Sequence, residues 1–204
     1  MAAKHLIIGL DGFDLDVVRA LGPTLLPHIH QRMSEGAFSA QKSVVPPATL
    51  PNWCTFLTGV DPARHGVFDF TMRKGYSVQF TAGTVRETET IFSRLDRMGR
   101  ACACVLFPAT WPPERLQHGL SISGWDAPVA FNADRSYVWP SEMYDAIQER
   151  FGAIEFDTVD EFRADEEDWH RELPDALIRR INDKTRLAIG LLAERDWDVF
   201  ASGR

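Results

Sequence analysis

The chain has 204 residues, 45% of them apolar and 25% charged, with a formal charge of −7; this is the balance of a soluble globular protein. That charge argues against nucleic-acid backbone binding as the main task, although a local anion site is compatible with it. No apolar run nears the roughly 18–20 residues of a membrane span, and the stretch after Met1 runs into Asp11 too soon for a secretory leader. Three cysteines, Cys54, Cys102 and Cys104, form no disulfide framework, so the chain reads as cytoplasmic.

In chain order, His5–Leu10 is a short apolar run suited to a strand buried on both faces, broken by Asp11-Gly12. Leu15–Leu21 reads as a short helix and Pro27–Gly36 as a second, with proline in its first turn and glycine at its end. Ala37–Val45 is extended and closed by Pro46-Pro47. Pro51 then opens a helix over Asn52–Thr58, stopped by Gly59. Tyr76–Phe80 is a small strand, Thr90–Met98 a helix and Ala101–Phe107 a buried strand in which Cys102 and Cys104 share a face.

Residues 108–140 are rich in proline and aromatics, a loop or excursion from the main sheet within which Leu120–Ser123 is a further strand. Ser141–Arg150 is a helix capped by its serine. Residues 161–167 are an acidic, solvated connection. Leu173, Leu177, Ile178, Ile181, Ala188, Leu191 and Leu192 mark one face of a long amphipathic helix, and Trp197–Ala201 begins one more strand. Strands alternating with helices predict an α/β fold with a mainly parallel sheet flanked by helices.

Two segments carry chemistry. Asp11 follows the first strand, where open α/β sheets place their sites; it is equally placed to be a turn residue or a cap. Asp14 and Asp16 fit the first turn of the next helix. Thr49 stands at a helix start with Asn52 three residues on, and such a start offers unpaired N–H groups and a partial positive charge to a phosphate. On spacing alone, nucleophile and cap are both open for Thr49, and Asn52 could cap locally. His65 lies in the turn Asp61-Pro62-Ala63-Arg64-His65-Gly66 and reads as a structural, hydrogen-bonded histidine. His28 and His30, two apart on a helix, cannot easily face one metal. The chain has no phosphate-binding Gly-rich loop, dinucleotide fingerprint or Gly-x-Ser-x-Gly elbow.

Leu6-Ile7-Ile8-Gly9-Leu10-Asp11-Gly12 and Pro46-Pro47-Ala48-Thr49-Leu50-Pro51-Asn52-Trp53, with Thr58-Gly59 and His65-Gly66 in register, together resemble the alkaline phosphatase superfamily, in its type I phosphodiesterase/nucleotide pyrophosphatase branch. The resemblance implies an alkaline-phosphatase-like core of which residues 1–204 are the N-terminal half, apparently truncated on the C-terminal side. It implies a hydrolase of small phosphate esters with two divalent metal ions, zinc in the family, that stabilise the attacking and leaving oxygens. Asp11 would be a ligand of one metal, Thr49 the metal-bound nucleophile, and Asn52 with the Leu50 N–H the holder of a phosphoryl oxygen. His65 matches a family turn position and is not assigned to metal.

The family's further ligands come from an Asp-x-x-x-His segment after a strand like that at 197–200, an Asp-His pair and a later histidine. The sequence has no Asp-His pair, and its one Asp-x-x-x-His spacing, Asp61–His65, lies in the turn before Val67 and not after that strand. Two readings therefore stand together: a phosphodiesterase or phosphatase whose remaining ligands lie outside these residues, or a catalytically inactive half-domain that binds anions or is completed by another chain. A sulfatase is disfavoured, because Cys54-Thr55-Phe56-Leu57-Thr58 is not the modification motif that branch needs. A terminal strand at 197–201 predicts an open sheet edge, and with it a homo-oligomer; no nucleic-acid or membrane partner is expected.

Overall fold

A computed structural model describes residues 4–124, 134–152 and 167–203. Its centre is β4 (Cys102–Phe107), whose six residues are all buried, as an unbroken apolar run requires of a strand covered on both faces. Around it lie β1 (His5–Gly9), β5 (Leu120–Ser123), β6 (Val138–Trp139) and β7 (Val199–Gly203), in the order β1-β7-β4-β5-β6. All neighbours are parallel except the β5–β6 pair. Asp198 ties the amino end together: its Oδ2 accepts the Ala101 N–H at 2.9 Å, and its carbonyl accepts the His5 N–H at 3.0 Å.

Helices cover both faces. One face, with Ala103, Val105, Leu120, Ile122 and Phe200, packs against Ile147 of α6 (Met143–Phe151) and Leu187 and Leu191 of α7 (Glu167–Glu194). The other, with Cys102, Cys104, Phe107 and Ala201, packs against Leu57 of α3 (Thr49–Thr58) and Phe92 of α5 (Ile91–Arg97). Each such large apolar side chain removed from water contributes about 1.5–3 kcal/mol. Thr90 caps α5 by accepting the Ser93 N–H at 3.2 Å. A four-residue α4 (Pro62–His65) is capped by Asp61 and ends at Gly66, whose φ of +78° only glycine adopts readily.

Residues Leu10–Ser43 form a second compact unit, separate from that of β1 and Val44 onward. It holds α1 (Leu15–Leu25), kinked at Gly22-Pro23, and α2 (Pro27–Glu35). Asp14 is the N-cap of α1, accepting the Asp16 and Val17 N–H groups, one position before the first turn expected for it, and Asp16 lies in that turn. His30 is structural, its Nε2 lying 3.2 Å from the Val18 carbonyl.

Several expectations are corrected. The strand at the chain's end is not an edge: β7 pairs with β1 on one side and β4 on the other, and the edge strands among the described residues are β1 and the two-residue β6. The strand at Ser77–Phe80 (β3) is half of an antiparallel hairpin with an unexpected β2 (Thr71–Lys74). α6 has Glu142 rather than Ser141 at its cap position and no side-chain cap bond. The 108–140 stretch does not leave the sheet wholly, since β5 and β6 are both strands of it; residues 125–133 lie outside those described. On α7, Ala188 and Leu191 are buried together with Leu187, but Leu177, Ile178, Ile181 and Leu192 are exposed. Most of the acidic connection at 161–167 also lies outside the described residues.

Candidate active site

α3 crosses the carboxyl end of the sheet on an aromatic shelf. Phe107, the last residue of β4, stacks on Phe56 at 5.6 Å and meets Trp53 edge-on at 5.3 Å. Gly9, the last residue of β1, leaves room for the same indole: a Cβ there would stand 2.6 Å from Trp53 Cη2. The helix is thus held where open α/β sheets place their sites.

Ala48 is the N-cap, in extended backbone, so α3 begins at Thr49, and Pro51 is its third residue rather than its first. Thr49 is half-buried and is the first residue of the helix, one position after its N-cap. The Ala48 N–H goes to the Pro46 carbonyl at 3.0 Å and the Asn52 N–H to the Ala48 carbonyl at 3.2 Å, while Pro51 has no N–H. The N–H groups of Thr49 and Leu50 are left at the positive end of the helix without an acceptor inside it. Asn52 does act locally, since its Nδ2 donates to the Ala48 carbonyl at 2.8 Å.

Thr49 and Asn52 therefore share one helical turn. Asp11 is exposed in the turn that follows β1 and belongs to the 10–43 unit. Among the described residues, no three His, Cys, Asp or Glu side chains come together as a metal site. Asp11 and Thr49 alone would be two ligands short of a tetrahedral zinc, so the described residues do not by themselves fit a resident metal ion.

His65 is structural, as expected. It is fully buried, its Nδ1 accepts the Val67 N–H at 3.1 Å, and its Nε2 lies 3.0 Å from Thr55 Oγ1. Burial pushes its pKa below the ordinary histidine value.

A second buried network gave no sequence signal. Arg86 donates to Glu114 Oε1 at 2.8 Å, and the hydroxyls of Thr90 and Ser93 donate to Glu114 Oε2 at 2.5 and 2.6 Å. Arg86 also reaches the Ala109 carbonyl at 3.4 Å and lowers the pKa of the Cys54 thiol, which burial nevertheless raises overall. The partners are 28 positions apart in sequence, so no periodicity links them. Ala109, Val67 and partly buried Val85 form the bed under Leu50 and Cys54, the inner face of the first turns of α3. The end of β4 is itself irregular: Leu106 and Ala109 have φ of +63° and +55°, costly for residues with a Cβ. Thr110 fastens this bend by donating to the Phe107 carbonyl at 2.6 Å and accepting the Gly124 N–H at 3.1 Å.

A mainly parallel sheet covered by helices on both faces, with a helix N-terminus over its strand ends, defines an open α/β fold with its site at the carboxyl ends of the strands. The chain belongs to the type I phosphodiesterase/nucleotide pyrophosphatase family, whose sequence profile matches residues 5–201. Among solved structures it is similar to phosphonoacetate hydrolase from Sinorhizobium meliloti 1021 in complex with phosphonoacetate, at a TM-score of 0.65 and 19% identity. The same hydrolase in complex with phosphonoformate matches at a TM-score of 0.64 and 16% identity. Both matches cover 99% of this chain and 46% of the hydrolase, so the chain spans less than half of that protein's length. No curated protein matches the sequence. Among the described residues, no helix is long and apolar enough to cross a membrane.

Proposed function

We propose that the chain carries the nucleophile of a phosphate-ester hydrolase of the phosphodiester or nucleotide pyrophosphate type. The observation that carries this reading is the first turn of α3, where the Thr49 hydroxyl stands beside two N–H groups at a positive helix end. In the proposed reaction, Thr49 Oγ forms a bond to phosphorus as the ester oxygen leaves in line, and the hydroxyl proton is lost to a base or solvent. Water then cleaves the phosphothreonine. The Leu50 N–H and Asn52 would hold a phosphoryl oxygen, the kind of fixed dipole that stabilises charge as it develops.

Asp11 and Thr49 are the residues this reading gives to two divalent ions, zinc by family resemblance. The described residues do not complete that site, and no step above passes through an ion. The substrate is proposed as a small phosphate ester, in a cytoplasmic protein. A phosphonate is the alternative substrate, because the similar solved hydrolase was captured with phosphonoacetate.

The second reading, a non-catalytic half-domain that binds anions or is completed by another chain, draws on the lack of a three-ligand cluster among the described residues and on the 46% coverage. One experiment separates the two. Two equivalents of tightly bound zinc, with hydrolysis of bis-p-nitrophenyl phosphate that Thr49→Ala abolishes, would support the enzyme. Neither stoichiometric metal nor turnover in the 204-residue protein would leave the half-domain reading.

A further inference from the structure

His65 is buried against α3 and held at both ring nitrogens. Because the Val67 N–H points at Nδ1, that nitrogen carries no proton; the ring proton sits on Nε2 and is donated to Thr55 Oγ1. On the backbone side, the His65 N–H donates to the Asp61 carbonyl and its own carbonyl accepts the Glu87 N–H, both at 3.1 Å. One residue thus joins the second turn of α3, at Thr55, to the α4 turn and to the segment that brings in Arg86.

We propose that His65, as the neutral Nε2–H imidazole, is the positioning residue that fixes α3 at its second turn and so sets where the Thr49 hydroxyl and the Leu50 N–H point. The tether stands on these hydrogen bonds alone, whereas its meaning for catalysis rests on the hydrolase reading above. Protonating Nδ1 would set two N–H donors against each other at Val67, so acid should release the tether. The charged groups facing the ring are Asp61 and Arg86, with the Glu87 side chain lying against Gly66; α3 itself has no charged residue.

The test compares Thr55→Val, which keeps the side-chain shape but removes the acceptor, with Thr55→Ser, which restores a hydroxyl. In ¹⁵N spectra the wild-type ring should be the neutral Nε2–H tautomer at pH 7 and stay neutral below the ordinary histidine range. Amide exchange at Asn52 and Trp53 should be about tenfold faster in Thr55→Val, near wild type in Thr55→Ser, and unchanged in β4 in both variants. Where hydrolysis of bis-p-nitrophenyl phosphate is measurable, Thr55→Val should lower kcat and leave KM in place. An Nδ1–H or cationic ring at pH 7 would overturn the proposal, as would exchange that rises equally in α3 and β4 or not at all. Selective exchange without hydrolysis by any form, wild type included, would count against the hydrolase reading and leave the tether standing.

Discussion

A buried ion pair and a buried histidine bear on the candidate site without belonging to its proposed chemistry. Arg86 and Glu114 form an ion pair with side chains 8% and 19% exposed, and the pair is completed by two hydroxyls. Replacing both partners by apolar groups can be neutral, but removing one strands a desolvated charge. Arg86→Met should therefore cost about 3 kcal/mol in urea unfolding, and adding Glu114→Gln should recover part of it. A single-variant cost below about 1 kcal/mol would mean that the pair is solvated in solution. His65 works in the other direction with pH. Its folded pKa lies below its unfolded one, so as pH falls through the ordinary histidine range of about 6.5 the unfolded chain takes up a proton that the native state refuses. Stability should be full above that range and decline below it. The decline should be shallower in His65→Gln, and identical pH profiles for the two proteins would refute this.

At the scale of elements, α3 owes its position to the strand ends more than to its own propensity. Gly9 permits the Trp53 ring to lie on β1, and an added Cβ would overlap it. Gly9→Ala should cost about 1–3 kcal/mol and shift Trp53 fluorescence, since the helix must lift from the sheet or the ring must turn. Unchanged fluorescence and melting temperature would show that the shelf yields freely. The helix was readable in the sequence from Pro51 and Gly59, but its first residue was not. Pro51 suits either the first or a later position of a first turn, and what moved the start to Thr49 is Ala48 in extended backbone, a residue with no capping signal. The β2–β3 hairpin was half legible for a similar reason: Thr71–Lys74 lacks the alternation that marked its partner and becomes a strand only by pairing.

For the molecule as a whole, the order of strands governs association. β1 pairs with β7 along one edge only; His5 points its N–H inward to Asp198, so the alternate residues Leu6 and Ile8 turn their backbone groups outward. Their side chains are also 55% and 62% exposed. A bare apolar edge of this kind is a template for pairing. The protein should self-associate in sedimentation velocity, and Ile8→Lys should shift it to monomer without loss of melting temperature. A monomer at every concentration in the wild-type protein would contradict this.

The sequence by itself determined most of the strands and helices, β2 and β6 aside, that the sheet is mainly parallel, and that a helix starts close to Thr49 and Asn52. Those features rest on apolar runs, prolines, glycines and spacings that act within a few residues. Only the tertiary structure decided that the last strand enters the middle of the sheet, that the long edge strand is β1, that Arg86 and Glu114 form a buried pair, and that His65 bonds to α3. Each of these depends on groups far apart in the chain meeting where water is excluded. There, hydrogen-bond geometry and desolvation choose the partners, and no local pattern announces them.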